Sequence, residues 1–147
     1  MVRRYIKRLE EAARKGNWTF VDERVPRLKN SKPLIDWARK HGIRSPNPDV
    51  VDLSMTVLGS ANLKRSLSPA VMERTVDSAY RVMTKCKGAP AKYAKYRAAL
   101  FLARTDVLPR VKREKINRIY GILLEAAEDE SVGKLARRSL ENIKNFR

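Results

Sequence analysis

A group of basic side chains interleaved with two tyrosines carries the chemistry that this sequence suggests most strongly. The group surrounds residues 88–90 and consists of Lys85, Lys87, Lys92, Lys95, Arg97 and Arg104. Lys92 and Lys95 are three positions apart, so in a helix they project from the same side. Tyr93 and Tyr96 alternate with them, and a tyrosine beside cations can stack on an unpaired base or lie along a sugar-phosphate backbone. We therefore expect this group to bind nucleic acid.

Basic residues on both sides extend the expected site. The extensions are Arg74 and Arg81 upstream, and Lys112, Arg113, Lys115 and Arg118 downstream. Cations at a helix start oppose the local dipole, so helix stability alone does not explain residues 110–113. If the corresponding turns of stacked helix pairs lie along one ridge, these groups form a continuous basic track, which fits a regularly charged polymer. The alternative for the two tyrosines is burial between neighbouring helices.

The charge balance of the whole chain favours an anionic partner. Its 147 residues include 33 Lys and Arg against 16 Asp and Glu, which gives a net charge of +17. Such an excess costs stability through self-repulsion unless a polyanion shares it, and nucleic acid is the usual polyanion. Residues 61–105 carry ten basic and two acidic side chains, whereas residues 31–60 carry four and three. Adaptation to heat is an alternative, since Gln is absent and Lys, Arg and Glu are plentiful.

The sequence offers little for catalysis or for metal binding. The single His, His41, precedes Gly42 at an expected helix end, which is typical of a partner for the helix dipole. The single Cys, Cys86, shares an apolar helical stripe with Met72 and Met83, which indicates a small core residue. Gly-rich phosphate loops are absent from the sequence. We expect a protein that is not an enzyme and that holds no cofactor or metal.

The elements that must position the basic group are helices. Ser31, Asn47 and Ser68 are predicted to cap the starts of helices. Apolar and polar residues do not alternate with a period of two over any length typical of a strand, so no sheet is predicted. In the last helix we expect a core face that includes Leu135 and Leu140. The sequence predicts a single all-helical domain over 1–147, with helix pairs at approximately 3–28, 31–59, 69–104 and 110–145.

The helix pairs show an internal repeat. Residues 49–58 match residues 131–140 when shifted by 82 positions, which is twice 41. A period near 40 with two helices in each repeat is typical of HEAT and armadillo arrays. Residues 123–140, LLEAAEDESVGKLARRSL, resemble a HEAT repeat: an apolar first helix, an Asp in the turn, then Val, a basic residue, Ala and Leu. The segment 34–59, with NPDV at its turn, shows the resemblance more weakly.

This resemblance to HEAT-like repeat proteins implies a short α-solenoid of about four antiparallel helix pairs. A non-repetitive helical bundle is the alternative. The repeat motifs specify helix packing, so they bear on fold and leave function open.

The function that we expect is nucleic-acid binding through backbone phosphates. No recognition helix-turn-helix, zinc module or RNA-binding sheet is evident, which favours contacts that do not read base sequence, on DNA or on RNA. The alternative is a HEAT-like scaffold that binds an acidic protein partner. The chain has no apolar stretch of membrane-spanning length and no signal-peptide pattern, so the expected location is cytoplasmic. The oligomeric state is left open.

Overall fold

The computed structural model describes residues 2–86 and 88–146. Every regular element in these residues is an α-helix or a short 3-10 helix, and none is a strand, which confirms the all-α prediction. The chain divides after Thr75 into two compact units. None of the helices in the described ranges is long and apolar enough to cross a membrane.

The first unit contains five helices and the start of a sixth. They are α1 (Val2–Arg14), α2 (Trp18–Arg24), α3 (Lys32–Lys40), α4 (Pro48–Ser60), α5 (Leu63–Ser66) and the first turns of α6 (Pro69–Lys85). The expected helix over 18–28 ends earlier, because Pro26 stands in a 3-10 turn that continues from α2. Gly16 follows α1 with φ +75°, a left-handed conformation that stops the helix.

Side-chain caps set the starts of α3 and α4, as the sequence predicts. The Ser31 hydroxyl accepts a hydrogen bond from the backbone N–H of Leu34 at 3.4 Å. The Asn47 Oδ1 accepts one from the N–H of Asp49 at 2.8 Å and one from that of Val50 at 3.4 Å. Both caps satisfy donors that a helix N-terminus leaves without a partner inside the helix.

The core of the first unit is built around α4, which packs against α1 and α3. A short 3-10 turn that begins at Gly42 lies directly on α4. A Cβ atom at Gly42 would overlap the Ser54 hydroxyl, which is buried and donates a hydrogen bond to the Val50 carbonyl at 2.8 Å. A side chain at position 42 would therefore have to displace the buried Ser54 hydroxyl, and glycine avoids this clash.

The second unit contains the rest of α6 and three further helices, α7 (Lys92–Leu102), α8 (Arg113–Ala126) and α9 (Gly133–Phe146). Short 3-10 turns precede α7 and α8, so these helices begin after Pro90 and Pro109 rather than at them. α8 packs against both α7 and α9. Three of the expected helix pairs contain helices in direct contact, α1 with α2, α3 with α4, and α8 with α9. In the fourth expected pair, the most extensive contacts of α7 are with α8. A regular stack of pairs stays a prediction.

The buried side of α9 differs from the expected one. Leu135 is 42% exposed, and Leu140 is only half-buried. The buried positions run along one stripe, Val132, Ala136, Ser139 and Ile143. The prediction that Leu135 belongs to the core is wrong, because neighbouring residues in a helix point about 100° apart and Ala136 takes the buried side.

Candidate nucleic-acid interface

The first two turns of α7 lie against acidic residues at the end of α8 and in the turn that follows it. Lys92 Nζ is 3.5 Å from Asp129 Oδ2, and Lys95 Nζ is 3.0 Å from Glu125 Oε2. Two ammonium groups thus face two carboxylates, and their formal charges cancel. We call these residues, together with the two tyrosines, the α7 cluster: Lys92, Tyr93, Lys95, Tyr96, Glu125 and Asp129.

The two tyrosines belong to the packing of α7. Their rings meet edge to face, with centroids 6.2 Å apart and planes at 86°. The Tyr93 hydroxyl donates a hydrogen bond to Asp129 Oδ2 at 3.0 Å. Tyr96 is only 5% exposed, and burial, reinforced by its hydrogen bond to Glu125, raises the pKa of Tyr96 to about 12. The Tyr96 ring cannot stack on a base while α7 keeps this position.

Asp129 joins the cluster to the start of α9. Its Oδ1 accepts hydrogen bonds from the backbone N–H groups of Ser131 at 2.8 Å and Val132 at 3.2 Å, while its Oδ2 faces Tyr93 and Lys92. Burial alone would raise the pKa of Asp129, but these hydrogen bonds hold it below its usual value. The carboxylate therefore stays ionised in the folded protein near neutral pH.

Glu125 is held ionised in a similar way. The hydrogen bond from Lys95, and after it the one from Tyr96, lowers the pKa of Glu125. The ion pair with Lys95 is partly open to solvent, since the Glu125 side chain is 56% exposed. The cluster is thus a neutral unit with a buried aromatic side and a solvated edge.

The remaining members of the basic group expected from the sequence are scattered. Arg104 is paired with Asp106 through a fork of two contacts, Nε to Oδ1 at 2.9 Å and Nη2 to Oδ2 at 2.8 Å. Arg97 is half-buried on α7, and Lys85 is exposed at the end of α6. Lys87 lies outside the described residues. The structure does not gather this group into one open cationic surface.

A different set of cations is exposed on α8 and α6. Lys112, Lys115 and Arg118 follow one another at three-residue spacing and form a row along one side of the start of α8. Arg81 and Lys85 are one turn apart on α6. Lys115 Nζ lies 4.5 Å from the centroid of the Tyr80 ring, so this side chain of the α8 row reaches α6. We call this surface the basic patch: Arg81, Lys85, Lys112, Lys115 and Arg118.

The charges of the basic patch are not neutralised by ion pairs within the described part of the chain. There, none of the five cations has a carboxylate oxygen within 4.0 Å. Four of the five are exposed, and Lys115 is half-buried against Tyr80. Residues 110–118 contain five basic side chains and a single acidic one, Glu114. The patch is therefore a site of positive potential that solvent can reach.

Besides Arg97 and Arg104, two further residues of the expected site lie outside both groups. Arg113 is exposed, but it is two positions from Lys115 and so points to a different side of α8. Arg74 is exposed on the part of α6 that belongs to the first unit. Sequence reasoning missed Tyr80 as the contact of Lys115, and it missed Glu125 and Asp129 as the acids of the α7 cluster. The four-residue spacing of those two acids, at the end of an amphipathic helix, is the signal that points to a shared acidic side.

His41 and Cys86, the single histidine and the single cysteine of the chain, lie in separate places. His41 is exposed at the end of α3, where its backbone N–H donates to the Trp37 carbonyl at 2.8 Å. Cys86 is half-buried, and burial raises the pKa of its thiol against the opposing effect of Lys95. Within the described ranges, no three His, Cys, Asp or Glu side chains are grouped in a way that would hold a metal ion.

The basic patch is the arrangement best suited to binding a ligand. Its guanidinium and ammonium groups are hydrogen-bond donors only, and they suit the oxygen atoms of phosphate or carboxylate groups. Comparison of the chain with protein-family models, with curated proteins and with solved structures gives no match. The choice between these ligand classes therefore depends on this chain's own residues.

Proposed function

We propose that the protein binds nucleic acid through the phosphate backbone, without reading base sequence, and that the basic patch is the contact surface. The observation that carries this proposal is the contrast between the patch, whose five cations have no ion-pair partner in the described residues, and the α7 cluster, whose charges cancel. Each cation that neutralises a phosphate also releases condensed counterions, which supplies affinity. The net charge of +17 is relieved by the same contact.

The dimensions of the patch suit a polymer of phosphates. The row from Lys112 to Arg118 spans six residue steps, or about 9 Å at the helical rise. Nucleotides follow one another at about 3.4 Å along each strand of a duplex, so the row is long enough for more than one phosphate. Arg81 and Arg118 can each donate two parallel hydrogen bonds to one phosphate, whereas lysine acts as a point charge.

We also propose the HEAT-like architecture, and two matching caps support it. Asn47 accepts hydrogen bonds from the N–H groups two and three residues later, at Asp49 and Val50. Asp129, which is 82 positions further along the chain, does the same with Ser131 and Val132. The shift of the sequence repeat thus recurs in the geometry of the turns before α4 and α9. A common turn at a fixed spacing is a property of helical-repeat arrays.

The proposed function is tested by measuring the affinity of labelled nucleic acids across a salt series. We expect log affinity to fall linearly with log salt. The triple variant Arg81→Ala, Lys85→Ala and Arg118→Ala removes three patch cations and should weaken binding about 100-fold near 0.1 M salt. The matched control removes three exposed cations that belong to α1 and the turn after it, in Lys7→Ala, Arg8→Ala and Lys15→Ala. It should change affinity by less than about fivefold, since long-range charge is screened.

A protein scaffold for an acidic partner is the alternative, and the same measurements separate it. Polyglutamate is added as a competitor at equal charge concentration. If polyglutamate displaces the nucleic acid fully, and if both triple variants lose the same affinity, the binding reflects net charge alone. That result would refute the patch as a phosphate site and favour the scaffold.

A further inference from the structure

We infer that the first unit carries a second surface for the nucleic-acid backbone, at the place where residues 29–32 meet α5. The inference rests on the proposed function and adds a contact site to it. Four exposed cations form this surface, which we call the α3–α5 surface: Lys29, Lys32, Lys64 and Arg65. All four belong to the first unit, whereas the basic patch belongs to the second.

Two hydrogen bonds join the segments that carry these cations. The backbone N–H of Asn62 donates to the carbonyl of Lys29 at 2.9 Å. The Lys32 ammonium donates to the carbonyl of Ser66 at 3.3 Å. Each bond joins residues more than 30 positions apart in the sequence, so the fold, and not the order of residues, brings these cations together.

The two cations of α5 are exposed beside these hydrogen bonds. Leu63 and Leu67 are buried and anchor the short helix, which leaves Lys64 and Arg65 exposed. Both cations lie within residues 62–66, the segment whose first and last residues form the two hydrogen bonds. Each is therefore less than about 7 Å of chain from both bonds. The four cations thus belong to one continuous stretch of surface.

Acidic side chains are scarce around the α3–α5 surface. Residues 24–35 and residues 53–72 contain neither Asp nor Glu. In the ranges that the structure describes, Lys29, Lys64 and Arg65 have no carboxylate oxygen within 4.0 Å. These three cations are therefore available to a ligand, as are those of the basic patch.

The fourth cation, Lys32, is neutralised only in part. Its Nζ lies 3.6 Å from Asp36 Oδ2, and Arg39 Nη2 lies 2.9 Å from the other oxygen of the same carboxylate. One negative charge is thus shared by two cations, which leaves a net positive charge. Lys32 is also the first residue of α3, where a positive charge opposes the helix dipole, so helix stability does not explain its position.

The side chains of this surface suit phosphate groups better than a protein partner. Three ammonium groups and one guanidinium group supply hydrogen-bond donors and no acceptors. Protein interfaces depend on large side chains that fill pockets of the partner. The exposed large apolar side chains within the described ranges are Tyr5, Leu124, Leu135 and Phe146, and none of them lies in residues 29–32 or 62–66. The surface thus offers charge without an apolar anchor.

The test measures the affinity of the whole chain for two labelled probes across a salt series. The probes are a DNA duplex of about 30 base pairs and a single-stranded RNA of about 30 nucleotides. The variant Lys29→Ala, Lys64→Ala and Arg65→Ala removes three cations and keeps Lys32, which holds Ser66. For the probe that the wild type binds more tightly, we expect about 100-fold weaker binding near 0.1 M salt. The slope of log affinity against log salt should become shallower by about 2 to 3.

The matched control removes the same charge from another part of the first unit, in Lys7→Ala, Arg8→Ala and Lys15→Ala. It should change affinity by less than about fivefold, because charge at a distance is screened. Equal losses in the two triple variants would reflect net charge alone and would overturn the inference. If circular dichroism shows that the first variant is unfolded, Lys64→Gln with Arg65→Gln replaces it, with an expected loss of about 50-fold.

Chemical modification of the wild-type chain tests the same contact without any substitution. Lysines are acetylated with and without a saturating amount of the tighter probe, and the modified positions are found by mass spectrometry. Bound probe should lower the acetylation of Lys29 and Lys64 at least about fivefold, and that of Lys7 and Lys15 less than about twofold. Unchanged acetylation at Lys29 and Lys64 would contradict a contact at this surface.

The failure of this inference can be distinguished from that of the proposed function. If the patch triple variant loses about 100-fold in affinity while the α3–α5 triple variant loses less than about fivefold, the second surface is wrong and the basic patch stands. If only the α3–α5 variant loses affinity, the second surface stands and the assignment of the patch is wrong. If neither variant changes the affinity for either probe, both proposals fail.

Discussion

The α7 cluster and the basic patch contain the same kinds of residue in opposite situations. In the α7 cluster, Lys92 and Lys95 lie beside Tyr93 and Tyr96, and both lysines are paired with carboxylates. In the basic patch, Lys115 lies over Tyr80 and its neighbouring cations have no carboxylate within 4.0 Å in the described residues. The difference shows that the acids brought up by neighbouring helices decide which cations are available to a ligand. Lysine beside tyrosine is paired with a carboxylate in one place, and in the other it lies at the edge of the surface that we propose for binding.

The largest expected effect concerns the aromatic side of the α7 cluster. Tyr96→Ala should lower the free energy of unfolding by about 3–5 kcal/mol, because it removes a buried ring and leaves a cavity. Tyr96→Phe keeps the ring and should cost only about 1 kcal/mol, for its hydrogen bond to Glu125. Urea unfolding followed by circular dichroism measures both. A loss below 1 kcal/mol for the alanine variant would mean that the ring is not part of the core and is open to ligands.

The next effect concerns Asp129. Asn47, which makes matching hydrogen bonds in the turn 82 positions earlier, provides the control. Asp129→Ala and Asn47→Ala each remove a cap of equivalent geometry and should each cost about 1–2 kcal/mol at neutral pH. The folded protein lowers the pKa of Asp129, so the contribution of its charge is present above the unfolded pKa of about 3.9 and is lost as the pH falls through the folded value.

The pH dependence of unfolding checks the assignment of Asp129. The stability difference between wild type and Asp129→Ala should shrink below about pH 4, whereas the difference for Asn47→Ala should not, because an amide does not titrate there. A pH-independent difference at Asp129 would show that the charge of its carboxylate adds nothing to its hydrogen bonds with Ser131 and Val132 or to its contact with Lys92. The ion pair between Asp129 and Lys92 would then add no stability to the α7 cluster.

The smallest expected effect compares the two lysines of the α7 cluster directly with the cations of the basic patch. Lys92→Ala with Lys95→Ala should cost no more than about 1 kcal/mol for each ion pair, since both pairs are partly exposed. The double variant removes two positive charges, against three in the patch triple variant. It should nevertheless change nucleic-acid affinity by less than about threefold, because both lysines are paired with carboxylates. Fluorescence anisotropy with a labelled DNA duplex measures the affinity of both variants. A loss of affinity equal to that of the patch variant would place these lysines in the binding surface after all.

The helices were predictable because their signals are local. Asn47 followed by Pro48, or Ser31 followed two residues later by Pro33, determines a helix start through hydrogen bonds to backbone groups only two or three residues away. The pairing of Arg104 with Asp106 is equally local, although we expected Arg104 to bind nucleic acid. The shift of 82 residues between Asn47 and Asp129 was visible in the same way, as a repeated turn.

The available cations were not predictable, because their state depends on residues far away in the chain. Lys92 and its acid Asp129 are 37 positions apart, and only the packing of α7 against α8 brings them together. The sequence shows a dense basic group at residues 85–97, but it does not show which side of α8 carries Glu125. Leu135 illustrates the same limit: two neighbouring apolar residues compete for one buried side of α9, and their order in the sequence does not say which is taken.

The close approach at Gly42 limits which substitutions this sequence can accept during evolution. A side chain at position 42 would occupy the space of the Ser54 hydroxyl and would also crowd the Trp37 ring. A lineage can therefore replace this glycine only together with a smaller residue at position 54, and the two positions should co-vary among relatives that keep the fold. We expect selection against a larger residue at position 42 alone, because it clashes with Ser54, and against a smaller residue at position 54 alone, because it leaves a space unfilled.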